Sequence, residues 1–179
     1  MKIVIRNYLA GSFLLEQEPK VWDAIVILDS GLKPSDFVAQ HAQKFIYLRF
    51  DDVTQSKVGK KTASSNDIRA ALDFSKGAES LLVCCRAGQS RSAAVAFIIA
   101  CQRFGSEKAD QILNAKRHVP NSWIVELGAN LLDDPHVLQA FAQWQRANAN
   151  IKLSNYMDEI EREYDDLERQ GARNRIVAS

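Results

Sequence analysis

Cysteine is scarce in this chain: Cys84, Cys85 and Cys101 are the only three in 179 residues. An odd count without framework spacing excludes a small disulfide-stapled scaffold and leads us to expect reduced thiols. Net charge is scarcer still, +1 from 23 Lys and Arg against 22 Asp and Glu. No bulk field therefore draws the chain to nucleic acid or to an anionic membrane, and any anion recognition has to be local. Runs of eighteen apolar residues are absent, and the opening MKIVIRNYLAGSF carries too short an apolar stretch for a secretory leader. A cytoplasmic protein without membrane insertion is the expectation. The histidines His41, His118 and His136 are scattered away from ligand partners, which encourages neither a zinc site nor a Cys-His protease. There is no internal repeat and no low-complexity tract.

What is present reads as an ordinary globular protein, 46% apolar and 25% charged, long enough to bury a core as one domain. Four short aliphatic stretches bounded by turn residues, Lys2–Arg6, Asp23–Asp29, Lys44–Phe50 and Ser80–Cys85, read as strands, several buried on both faces. Between the last two, Ser64 and Asp67 form a capping-box pattern, Ile68, Ala71, Leu72 and Ser75 share a face, and Gly77 stands where a C-terminal cap belongs. From Ser90 onward the pattern is helix after helix. Strands alternating with helices and then helices alone predict an α/β fold, a central mostly parallel sheet flanked by helices with a C-terminal helical cluster. In the charged tail, residues 151–179, Tyr156, Ile160, Tyr164 and Leu167 make one apolar stripe, the docking face of a helix packed on the same domain. Thr54–Ser64 and the residues after Gly171 read as the flexible pieces. Trp22, Trp123 and Trp144 read as packing.

The stretch that carries chemistry is LLVCCRAGQSRSAAVAFIIA, Leu81 to Ala100. A strand end followed by a helix start leaves main-chain N–H groups unpaired, and a tight loop between them can aim those donors at one anion. Arg86, Ala87, Gly88, Gln89 and Ser90 form that loop, with Gly88 supplying backbone freedom or room. Arg91 adds a planar fork for two phosphoryl oxygens. Cys85 at the base feels the same amides and the helix N-terminus, which favour thiolate over thiol and make it a nucleophile toward a bound phosphate monoester. Ser92 can donate its hydroxyl to the sulfur and help it leave. Cys84 points the opposite way because strand side chains alternate, and Cys101 reads as core. The Cys-x5-Arg spacing alone is a weak motif, strengthened by the aliphatic strand before it and the small-residue helix after it.

CRAGQSRS resembles the phosphate-binding loop of the cysteine-dependent protein tyrosine phosphatase superfamily, in its small dual-specificity-like branch. The likeness spans roughly residues 24–132. It implies a phosphatase-like catalytic domain over residues 1–150, and a general acid on a separate loop some thirty residues before the cysteine. YLRFDDVTQ offers Asp51 and Asp52 there, and the family pattern favours Asp52, with Asp51 as the alternative acid. KRHVPNSW is similar to the Pro-Asn helix start that follows in this branch. The family's usual histidine before the nucleophile is here Cys84, so one contributor to thiolate stabilisation is missing.

The resemblance implies that Cys85 attacks phosphorus, Arg91 and the loop amides hold the oxygens, and the acid protonates the leaving group, with no metal or cofactor required. The expected substrate is a phosphorylated protein or a small phosphomonoester. Two other classes stay open: a noncatalytic phosphate reader, and a thiol redox or sulfur-transfer protein involving Cys84. Arg86 reads as surface charge or as a contact to a second anionic group. Lys57, Lys60 and Lys61 read either as a basic rim at the site mouth or as a solvated loop. VGKKT, Val58 to Thr62, lacks the strand and upstream glycine of a nucleotide-binding loop.

Overall fold

Alternation along two central strands sets up the architecture. In the computed structural model, which describes residues 1–178, β1 (Lys2–Arg6), β2 (Asp23–Leu28), β3 (Lys44–Arg49) and β4 (Ser80–Cys84) form one parallel sheet in the order β1-β4-β2-β3. Ile25, Ile27, Leu81, Val83 and Cys85 face one layer, whereas Ala24, Val26, Leu28, Leu82 and Cys84 face the other. Both faces are covered, which is why these strands read as unbroken aliphatic runs.

The larger layer is built on α4 (Arg91–Phe104), whose residues from Ala93 to Ala100 are all buried. α3 (Ser65–Ser75), α5 (Ser122–Leu132) and α6 (His136–Ala147) surround it, with a 3-10 turn at Ser106–Ile112. The capping box at α3 is present in full, Ser64 and Asp67 each bonding the other's main-chain N–H. Gly77 lies just beyond the helix, yet its φ is not in the left-handed region, so the turn there does not demand glycine. Gly128 of α5 does have a reason: a Cβ would lie 2.5 Å from Ile98, so α5 sits on α4 only because that position has no side chain.

The smaller layer holds α1 (Tyr8–Gln17) and α2 (Phe37–His41), neither of which has a strong apolar period, and α7 (Leu153–Arg169) beside α1. On α7 the predicted stripe, Tyr156, Ile160, Tyr164 and Leu167, is half-buried, while the intervening charged positions are largely exposed.

The segment after Gly171, expected to be flexible, is tied down. Beyond Gly171 the chain returns to the sheet: Ala172 and Ile176 are buried, Val177 bridges Pro34, and the Arg175 main-chain N–H donates to Ser12 Oγ at 2.9 Å. Residues 54–64 include a tight antiparallel bridge between Lys57 and Lys60 with Gly59 at φ +72°. Among the described residues no helix is long and apolar enough to cross a membrane.

Candidate active site

Because the sheet is parallel, the carboxyl ends of its strands lie together along one edge, where open α/β sheets bind their ligands. Asn7 follows β1, Asp29 follows β2, the Asp51 and Asp52 pair lies just beyond β3, and Cys85 follows β4. The sequence-predicted groups therefore meet there although they are as much as 41 residues apart. A hollow of about 330 Å³ is lined by Asp29, Asp51, Asp52, Cys85 and Arg91, among others; Arg86, Ala87, Gln89 and Ser90 complete its loop wall.

Cys85 lies at the junction of strand and loop. It is 2% exposed but borders the hollow, and its Sγ is 3.1 Å from Ser92 Oγ. Among the described residues, no main-chain N–H from Arg86 to Arg91 donates to a main-chain or side-chain acceptor. Such a cluster of unpaired donors at a helix start is suited to an anion.

Gly88 shows why the loop takes this path. Its φ is +66°, and a Cβ there would stand 2.4 Å from the Asn7 nitrogen and 2.5 Å from the Arg6 carbonyl carbon. The cradle is thus pressed on the β1–α1 junction, and glycine is required for both conformation and space. The other side is held by the segment before α5: the Val119 N–H donates to Gln89 O at 3.0 Å and the Asn121 N–H to Ser90 O at 3.4 Å.

Arg91 is 4% exposed and aimed by two acceptors on Nη1, Asp29 Oδ1 at 2.6 Å and Phe50 O at 2.8 Å. Its Nε is buried without a partner. Burial disfavours the guanidinium charge, but Cys85, Asp29 and Asp52 outweigh it and leave the pKa above the ordinary value. Arg86 keeps its side chain 77% exposed, 4.0 Å from Asp29.

The two aspartates differ sharply. Asp51 is buried, accepting from Ser30 Oγ at 2.6 Å and the Lys61 N–H at 2.8 Å, with Lys60 Nζ at 3.5 Å. The Ser30 bond foremost, followed by the Lys61 and Lys60 contacts, outweighs desolvation and lowers its pKa to about 2. Asp52 is exposed at the mouth, its Oδ1 accepting from Ser90 Oγ and Asn121 Nδ2, each at 2.8 Å. Lys60 borders the hollow; Lys57 lines an adjoining groove of about 750 Å³ that shares Asp52 and Ser90 with it. Lys61 contributes its main chain.

Cys84 is fully buried in the opposite layer, where desolvation, then Cys85, drives its pKa well above that of an ordinary thiol. Cys101 is buried in the main core, and its pKa is pushed up to about 12 by desolvation and then by Asp134.

Asp29, Asn121 and the Arg117–His118 pair escaped the sequence reading. Only Asn121 had a visible signal, the Pro-Asn helix start; it also caps α5 by accepting from the Ile124 N–H at 3.3 Å. A strand-end aspartate such as Asp29 has no local mark, since its partner Arg91 is 62 residues away.

No protein-family model and no curated protein sequence matches the chain. Solved structures similar to it include the crystal structure of PTPMT1 in complex with PI(5)P, at 14% identity over 79% of this chain and 90% of that one, TM-score 0.47. Tk-PTP in its active form is similar at 13% identity over 92% of this chain and 90% of that one, TM-score 0.44. The Yvh1 phosphatase domain from Chaetomium thermophilum is similar at 14% identity over 79% and 87%, TM-score 0.37. At these scores the functional reading rests on the residues and geometry of the site.

Proposed function

We propose that this protein hydrolyses phosphate monoesters through a phosphocysteine on Cys85, as a tyrosine- or dual-specificity-type phosphatase. The observation that carries the reading is the placement of the Cys85 sulfur at the edge of a solvent-reachable hollow, 3.1 Å from a hydroxyl and beside a loop of unpaired amides. The unpartnered Nε of Arg91 gives a fixed cation with a donor to spare for a phosphoryl oxygen.

In the first step the Cys85 thiolate forms an S–P bond as the P–O bond to the leaving group breaks, while the loop amides and Arg91 hold the equatorial oxygens. Asp52, standing at the mouth, gives its proton to the leaving oxygen. In the second step Asp52, now ionised, takes a proton from water as the water oxygen attacks phosphorus. The S–P bond breaks and the Ser92 hydroxyl donates to the departing sulfur. Asp51 is assigned a structural role, because its oxygens already serve Ser30, Lys60 and the Lys61 N–H. The chemistry requires Cys85 to stay reduced, in keeping with the cytoplasmic location expected from the sequence.

The test is hydrolysis of an aryl phosphate by the purified chain, with vanadate as inhibitor and Cys85→Ser as control. Turnover should fall at least about a thousandfold in the variant while phosphate binding persists. Phosphate binding by the parent chain without turnover would select a noncatalytic reader instead.

A further inference from the structure

The C-terminal helix α7 lies outside residues 24–132, where the sequence resembles known phosphatases, yet it reaches the cradle from behind. Glu163 Oε2 accepts from Asn7 Nδ2 at 2.6 Å and from Arg117 Nη2. Asn7 belongs to the junction on which Gly88 is pressed, and it caps α1 by accepting from the Ala10 N–H at 2.7 Å. Arg117 begins the segment whose Val119 N–H holds Gln89. One carboxylate oxygen thus ties together the two supports that flank the anion loop. The next residue, Tyr164, approaches Arg86 O at 3.5 Å through its hydroxyl.

Charge makes the tie specific. Arg117 is 7% exposed, and Glu163 is its only ion-pair partner among the described residues. Glu163 also counters the charge of Arg6, whose pKa is lowered by burial and by Arg117. Removing the carboxylate would leave two neighbouring guanidiniums under the cradle without compensation, a costly arrangement in a buried site.

We propose that Glu163 is a positioning residue: through Asn7 and Arg117 it sets the shape of the 86–91 loop, so that the C-terminal helix is a working part of the anion site. The catalytic consequence rests on the phosphatase reading, but the structural consequence does not. Full-length Glu163→Ala and Glu163→Gln are compared with Glu161→Ala, an exposed site on the same helix, by amide hydrogen exchange, inorganic phosphate affinity and aryl phosphate kinetics.

In Glu163→Ala, exchange should rise at the hydrogen-bonded amides of Arg117, His118, Val119 and Asn121, which hold the loop, above any rise elsewhere. Phosphate should bind about tenfold or more weakly, with kcat falling by a similar factor. Glu163→Gln, which keeps an acceptor for Asn7, should lie between, and Glu161→Ala should match the parent. Unchanged exchange at Val119 and Asn121, whose N–H groups hold Gln89 and Ser90, in both Glu163 variants overturns the proposal, as does a loss of thermal stability without loss of phosphate affinity. If the parent binds phosphate without turnover, the phosphatase reading fails while exchange and affinity still decide the role of Glu163.

Discussion

The carboxylates of Asp51 and Asp52, adjacent in sequence, look in different directions. Asp51 is anchored to Ser30, Lys60 and Lys61 beneath the loop, while Asp52 is tethered to Ser90 and Asn121 at the mouth of the hollow. A tight turn at Asp52, closed by the Val53 N–H donating to Asp51 O at 3.0 Å, separates them, and the separation has kinetic consequences.

Asp52→Asn should lower kcat for an alkyl phosphate by about 10²- to 10⁴-fold, the usual worth of a positioned acid. The loss should shrink for a nitrophenyl phosphate, whose leaving group needs little protonation. Asp51→Asn should instead destabilise the fold by about 1–3 kcal/mol through its orphaned donors and change kcat much less. Steady-state kinetics on both substrates, with urea unfolding of each variant, checks this; a larger kcat loss in Asp51→Asn would exchange the two roles.

Gly88→Ala asks whether the loop needs its seat on β1. The added methyl group meets the main chain of Arg6 and Asn7, which cannot turn aside as a side chain could, and the backbone is in the left-handed region. We expect a destabilisation of about 2 kcal/mol or more, together with weaker phosphate binding. Wild-type phosphate affinity in this variant would show that the loop tolerates another path.

His118 should make the fold sensitive to mild acid. Its Nδ1 accepts from the Asn114 N–H at 2.9 Å, so a second proton has no place there, and its Nε2 is buried without a partner. Burial, then Arg117 and Arg6, lower its pKa from 6.5 to about 3. The unfolded chain therefore takes up a proton below pH 6.5 that the folded chain refuses until about pH 3. The stabilising contribution is complete above pH 6.5 and declines as pH falls through that window, by roughly 2 kcal/mol between pH 7 and pH 5. Urea midpoints at pH 7, 6 and 5 should fall in the parent and fall less in His118→Gln; parallel pH slopes would rule His118 out as the cause.

Much of this architecture is written locally. The four strands begin where the aliphatic runs begin and end within one residue of the expected limits, because burial on both faces leaves a continuous apolar signature. The α3 cap and the stripe on α7 were legible for the same reason: each is a pattern within one turn or one helix face. α1 and α2 were not, since neither has a strong apolar period.

The sequence by itself determined the strand–loop–helix unit that places Cys85, the amide loop, Arg91 and Ser92 together, because all are joined by a few peptide bonds whose geometry is set by strand and helix. Only the tertiary structure decided which carboxylate borders the mouth, that Asp29 aims Arg91, and that Glu163 ties Asn7 to Arg117. Those pairings join residues 46 to 156 positions apart. Their specificity comes from strand order, from burial and from the need of each enclosed charge for a partner, none of which is encoded in a local spacing.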